Sequence, residues 1–245
     1  MQTFQLENEA RIAIEPGFAW DAQDAYLFDI DGTLLRSRDR VHFDSVASSV
    51  LRVTGFEISL DGVAIHGSTD TAILREACDR AGIPADIQDG HAEAILAAMC
   101  NHVVERRHLM QPVLMPGVQE TLSHLAGREA LLGVATGNLE AIGWIKIEQA
   151  GLRQWFTFGG FSNRFPLRAE LIGNAARRAR DLAGPAARVC VVGDTPRDIA
   201  AARANHLPVI AVATGHFDFE SLLEHRPEVC ATSLADLLAA TRTTL

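Results

Sequence analysis

Lysine is almost missing from this 245-residue chain: Lys146 is the only one, so arginine supplies nearly all of the 22 basic residues. A buried cation therefore has few possible sources, and most of them are guanidiniums, which grip anionic oxygens bidentately. Basic residues are also outnumbered, with 31 Asp and Glu and a formal charge of −9. That balance removes the basic patch a nucleic-acid surface requires. Cysteine occurs four times, at Cys78, Cys100, Cys190 and Cys230, dispersed and without a Cys-x-x-Cys pair. Buried free thiols are expected rather than disulfides or a zinc centre. No apolar run approaches membrane-spanning length, and residues 1–24 show no basic segment followed by an apolar one, so neither a membrane partner nor a signal peptide is expected. Together these absences predict a cytoplasmic protein, and 245 residues are enough for one good-sized core or for a core plus a small second domain.

What is present begins with Tyr26-Leu27-Phe28-Asp29-Ile30-Asp31-Gly32-Thr33. Tyr26 to Phe28 read as a short strand buried on both faces, and the chain turns at Gly32. Residues at i and i+2 of a strand share a side, so Asp29 and Asp31 are expected to project together. Two neighbouring anions at the edge of a buried sheet repel each other unless a cation or a proton lies between them. Without that requirement, Asp-x-Asp-Gly-Thr would be an ordinary polar turn.

After Arg40 the pattern turns helical, at 43–54, 69–81 and 86–107, with Gly55, Gly82 and Pro84 as stops and no convincing strand. From Met115 onward strands alternate with helices. Strands are expected at 130–135, 156–158, 188–192 and 208–212, and helices at 118–125, 139–150, 168–182, 196–204 and 234–240. Ile12 and Ile14 alternate with polar neighbours as an edge strand would. This order predicts an α/β fold: a Rossmann-like parallel-sheet core with helices on both faces, formed by 1–36 and 114–245, plus an inserted helical cap at 37–113. Reactive groups in such sheets gather at the carboxyl ends of the strands. Those ends carry Asp29 and Asp31, then Thr136-Gly137-Asn138, then Gly193-Asp194-Thr195 with Asp198.

Asp29, Asp31 and Asp194 offer hard oxygen ligands without histidine or thiolate, a set that favours Mg²⁺ over zinc. Mg²⁺ keeps open positions that a substrate phosphate oxygen can complete. A phosphate monoester fits such a site, with Asp29 as the attacking carboxylate and Asp31 as general acid, then general base. The Thr136 hydroxyl and the backbone N–H groups of the glycine turns at Gly32, Thr33, Gly137 and Asn138 would neutralise the phosphoryl oxygens.

These three clusters, in this order, resemble the motifs of the haloacid dehalogenase superfamily, phosphatase branch, from about Tyr26 onward. The helical insertion is similar to the C1 cap of the phosphoglycolate phosphatase and β-phosphoglucomutase-like group. The resemblance implies that Asp29 is the nucleophile and that Mg²⁺ is bound by the side chains of Asp29 and Asp194 and the backbone carbonyl of Asp31. It also implies that Thr136 holds the phosphoryl group and that Asp198 supports the metal. A lysine usually stands shortly before the last acidic motif in that family, and here none stands at that place. Arg168 takes the expected place and is preferred over Arg164 and over Lys146, which falls early, in the helix after Thr136.

Gly67-Ser68-Thr69-Asp70, ahead of the second cap helix, resembles a loop lowered over the active site, although Ser, Thr and Asp would also serve as helix caps. His66, His91, His102 and His108 are scattered without metal spacing and read as surface or packing residues. The expected function is hydrolysis of a small phosphorylated metabolite by a monomer or homodimer. A phosphosugar mutase would use the same core, and a non-catalytic phospholigand-binding protein is the reading from another class. A dehalogenase is disfavoured, because Asp31 supplies a leaving-group proton that carbon–halogen displacement does not need.

Overall fold

A computed structural model describes residues 11–243, so the sequence reading of 1–10 lies outside the described residues. The strands are β1 (Ile12–Ile14), β2 (Ala25–Phe28), β3 (Leu35–Ser37), β4 (Pro112–Leu114), β5 (Leu131–Ala135), β6 (Phe158–Gly160), β7 (Val189–Gly193), β8 (Val209–Val212) and β9 (Val229–Ala231). The helices are α1 (Val41–Thr54), α2 (Asp70–Arg80), α3 (Ala85–Arg106), α4 (Val118–Gly127), α5 (Glu140–Gln149), α6 (Arg168–Ala183), α7 (Pro196–Ala204), α8 (Phe219–Leu223) and α9 (Leu234–Thr243).

Seven strands form one sheet in the order β1-β9-β8-β7-β2-β5-β6, parallel throughout except for the antiparallel edge strand β1 on β9. The β2 residues alternate between its two faces. Tyr26 and Phe28 pack with Leu122 of α4, Ile147 of α5 and Leu237 of α9, whereas Ala25 and Leu27 pack with Ile172 of α6, Ile199 of α7 and Leu222 of α8. Both faces are covered, which explains the unbroken apolar run of the central strand. Each fully buried Leu, Ile or Phe contributes about 1.5–3 kcal/mol of transfer free energy.

The register of β2 fixes the site. Phe28 lies opposite Val134 of β5 on one side and Val192 of β7 on the other, and the Asp29 N–H donates to the Val192 carbonyl. The three chain segments that follow these strands therefore open at one level.

Where the chain leaves and re-enters this core, β3 and β4 pair antiparallel as a separate two-stranded ribbon. Between them α1, α2 and α3 enclose their own apolar cluster, and Leu139, Ile142 and Ile145 from the α5 segment of the core pack into it.

Several elements differ from the sequence expectation. The strand expected at 156–158 lies at Phe158–Gly160, because pairing of Gly133 with Phe158 and of Ala135 with Gly160 carries two glycines into the sheet. A Cβ at Gly159 would come within 2.6 Å of Val134, and one at Gly160 within 2.5 Å of the Leu171 carbonyl, so glycine lets neighbouring elements close in. The three-residue strands β3, β4 and β9 and the five-residue helix α8 are additions. Helix α8 is held by an Asp218 cap on the Ser221 N–H.

Candidate active site

Asp29 is buried at the end of β2, and its carboxylate faces the guanidinium of Arg168 at 3.0 Å. The Arg168 Nε and Nη2 also reach Oδ1 of Asp198, at 2.8 and 2.6 Å. Arg168 opens α6, which brings its side chain under the sheet edge beside the first residues of α7. Burial works against the charge on Arg168, but Asp198 and Asp29 more than reverse that, so the guanidinium stays cationic.

Asp198 is fully engaged. Its Oδ2 accepts from the N–H and the hydroxyl of Thr195, the capping box that starts α7 with Pro196 at its first position. Asp194 accepts from the Thr33 hydroxyl at 3.0 Å through Oδ1. Its other oxygen sits where side chains would collide, since a Cβ on Gly32 would lie 2.3 Å from Oδ2 and one on Gly215 only 1.6 Å. Gly32 has φ +87°, and its N–H donates to the Leu35 carbonyl. The turn thus spends internally the N–H that the sequence assigned to phosphate; what Gly32 offers is room.

Ligand oxygens of Asp29, Asp194 and Asp198 lie within 4.8 Å of one another, a spacing that could hold a metal ion. Burial is the largest cause raising the Asp194 carboxyl above its ordinary value, followed by the charges of Asp29 and Asp198. Asp29 is raised by burial too; Arg168 pulls it back, and Asp198 and Asp31 add repulsion.

Asp31 departs from this cluster. The strand ends at Phe28, so the two-residue alternation does not carry through the turn, and the Asp31 side chain goes to Lys146 and Asn138 instead. The Lys146 ammonium lies 2.8 and 2.6 Å from its two oxygens, and the Asn138 amide donates to Oδ2 at 2.8 Å. Burial would raise the Asp31 carboxyl, but the Lys146 charge and its hydrogen bonds, with Asn138, win and hold it below the ordinary range. Against the lysine position that the family resemblance implies, Lys146 falls too early in the chain. In the fold it lies two turns into α5, on the face that packs inward, and is buried.

Thr136 is buried at the end of β5, and its Oγ1 accepts from the Asn138 side chain at 2.6 Å and the Asn138 N–H at 3.3 Å. A hydroxyl that accepts twice keeps its own proton for a third partner. Arg164, the other basic alternative, does not border the cavity.

The cap loop closes the site from above. The Gly67 carbonyl accepts from Arg168, the Ser68 hydroxyl meets Arg197, and the Thr69 hydroxyl donates to the Pro166 carbonyl at 2.7 Å while also capping α2. Asp70 accepts from the Leu139 N–H at 2.8 Å and meets His42 Nε2 at 3.1 Å. A Cβ on Gly137 would stand 2.3 Å from the Ser68 carbonyl, so the two loops are in backbone contact. His66, expected on the surface or in packing, borders the cavity and stacks on His216 with ring centroids 4.2 Å apart; His91, His102 and His108 do not border it. The cavity, open to solvent on one side, measures about 510 Å³, with Asp29, Asp31, Asp194, Thr136, Lys146 and Arg168 on its core side. Across from them Phe43, Val46, Leu60, Ile65 and Ile73 form an apolar wall on the cap.

A family model for haloacid dehalogenase-like hydrolases matches residues 23–206, the span that carries every core element of this cavity except the β8 loop. The chain belongs to that family. It is similar to the phosphoglycolate phosphatase of Synechococcus elongatus, 29% identical over 217 residues that cover 88% of this chain and 96% of the relative. The phosphoglycolate phosphatase of Agrobacterium fabrum is 32% identical over 129 residues, 51% of this chain and 53% of that protein. Among solved structures, a predicted phosphoglycolate phosphatase from Haemophilus somnus superimposes with a TM-score of 0.60 at 19% identity, covering 89% of this chain and 98% of that one. Rhodobacter sphaeroides CbbY in complex with phosphate gives 0.60 at 16% identity, over 80% and 87%. At those identities the structures show the shared α/β fold. The sequence relatives and the family together make the chain a haloacid dehalogenase-type phosphatase. No helix among the described residues is long and apolar enough to cross a membrane.

Proposed function

We propose that the protein is a Mg²⁺-dependent phosphomonoester hydrolase that acts on a small phosphorylated metabolite through an aspartyl-phosphate on Asp29. The observation that carries this reading is the buried Asp29 carboxylate, held at 3.0 Å by Arg168 on the floor of the cavity, with Asp194 and Asp198 beside it. The donor set fits Mg²⁺, being all carboxylate oxygen, and a divalent cation would offset the burial and the mutual repulsion that raise Asp194 and Asp29. Asp29, Asp194 and the Asp31 carbonyl would hold it, with Asp198 behind them. Bound there, it supplies positive charge against the phosphoryl oxygens.

Arg168 orients Asp29 and neutralises phosphoryl charge. An oxygen of Asp29 forms a bond to phosphorus as the ester oxygen leaves with a proton from Asp31, a proton that this carboxylate, ionised beside Lys146 and Asn138, takes up as the anionic ester binds next to it. Water then attacks the phosphoaspartate, Asp31 takes its proton, and inorganic phosphate and free Asp29 remain. Thr136 donates its hydroxyl proton to a phosphoryl oxygen. The cap loop 67–70 excludes water, and the apolar cap wall receives the organic part of the ester.

The named function of the sequence relatives makes 2-phosphoglycolate the first candidate substrate. The four cysteines are free, which suits the reducing cytoplasm. The test is phosphate release across a panel of small phosphomonoesters, sugar 1-phosphates included, with Mg²⁺ or EDTA. Release should need Mg²⁺ and vanish in Asp29→Asn. Activity that persists in that variant, or none on any ester, would overturn the reading.

A further inference from the structure

Two buried cations face the two front carboxylates, one each. Arg168 serves Asp29, and the chain's one lysine serves Asp31. The Lys146 side chain is 3% exposed, while its partner carboxylate is 45% exposed and opens on the cavity. An ammonium that deep is costly unless fixed anions and acceptors surround it. Here it meets both oxygens of Asp31 and, at 2.9 Å, the Asn138 carbonyl oxygen. The Asn138 amide points its NH₂ to Asp31 and to Thr136, so its orientation is set by both neighbours at once. Three hydrogen bonds thereby fix a carboxylate that would otherwise turn freely toward solvent.

We propose that Lys146 is a positioning residue that, with Asn138, aims Asp31 at the water that hydrolyses the phosphoaspartate. This rests on the phosphatase reading. In that step the water oxygen bonds to phosphorus, its proton passes to an Asp31 oxygen, and the bond from phosphorus to the Asp29 oxygen breaks to release phosphate. The geometry separates the two half-reactions. With p-nitrophenyl phosphate the leaving group needs almost no proton, so formation of the phosphoenzyme should tolerate a misaimed Asp31. Hydrolysis should not.

Rapid quench of the full-length protein with Mg²⁺ and p-nitrophenyl phosphate tests this. Lys146→Met, near the shape of lysine without its charge, should give a burst of nitrophenolate close to one per active site, then a steady rate about 10²-fold below wild type, the range for losing an aligned base. Phosphate on Asp29 should accumulate during that steady state, and Lys146→Arg should restore most of the rate. Adding Lys146→Met to Asp31→Asn should cost nothing further. If the Met variant fails to fold by circular dichroism, Lys146→Gln should show the same burst. The proposal is overturned by a wild-type rate in Lys146→Met, by equal loss of burst and steady rate with a raised KM, or by a further loss in the double variant. A wild-type protein that forms neither phosphate nor phosphoenzyme would instead overturn the phosphatase reading, and this inference with it.

Discussion

Gly215 stands so close to Asp194 that a Cβ at position 215 would lie 1.6 Å from the carboxylate Oδ2. Gly32 presses on the same oxygen from another segment. A loop after β8 and the turn after β2 therefore share the task of seating one carboxylate, and the Thr214 hydroxyl ties them together through the Gly32 carbonyl. Gly215→Ala should turn Asp194 out of its seat and lower phosphate release by about 10²-fold, the usual cost of a displacement near 1 Å at a reacting centre. Circular dichroism should show a folded protein, and wild-type activity would contradict the assigned place of Asp194.

Arg168 is buried between two carboxylates, so its loss should be felt in stability as well as in turnover. Arg168→Ala leaves Asp29 and Asp198 uncompensated, and unfolding by urea should report a loss of about 3–5 kcal/mol together with loss of activity. Arg168→Lys keeps the charge but not the fork that spans both partners, and should lie between the two. An unchanged midpoint for the alanine variant would show that the pairing contributes nothing to the fold.

Without metal, Asp194 should make stability depend on pH. Its pKa rises on folding to about 8, from an ordinary value near 4, so the folded state binds the proton more tightly. The stabilisation is complete below the ordinary value and is lost as pH climbs toward 8. Thermal melts in EDTA should thus lose more between pH 4 and 8 in wild type than in Asp194→Asn, and Mg²⁺ should raise Tm more at pH 8 than at pH 5. Parallel pH curves for the two proteins would contradict this.

Asp70 docks the cap by accepting the Leu139 N–H from the core while holding His42. Asp70→Ala leaves that buried donor unmet, at a cost of about 1–3 kcal/mol. Steady-state kinetics should show a KM increase for esters whose organic part fills the cavity under the cap, and a smaller one for inorganic phosphate as a product inhibitor. Equal shifts for both would place the effect on the phosphate itself.

The acidic and threonine clusters were legible because strand ends in a parallel sheet can be read from apolar runs, and Asp29, Thr136 and Asp194 follow three of them directly. Arg168 was legible only through the family resemblance, which implies a basic residue ahead of the last acidic motif. Lys146 was not, since its role depends on the phase of α5. Yet a lone lysine between Ile145 and Ile147, four residues after the buried Ile142, was a signal that the helix buries a charge on purpose. His66, His216 and Gly215 escaped because cap loop and β8 loop meet only in three dimensions, and His42 because α1 and the start of α2 meet only in the folded cap. The strand expected at 156–158 was legible but placed two residues early, because glycine is a poor strand former and pairing with β5 overrode that preference at Gly159 and Gly160.

The most direct measurement is the site of covalent phosphate. Protein mixed with Mg²⁺ and p-nitrophenyl phosphate, stopped in acid within milliseconds and mapped by peptide mass spectrometry, should carry phosphate on Asp29 in wild type and nowhere in Asp29→Asn. Turnover without label on Asp29, or label on another carboxylate, would contradict the assignment of Asp29 as the nucleophile.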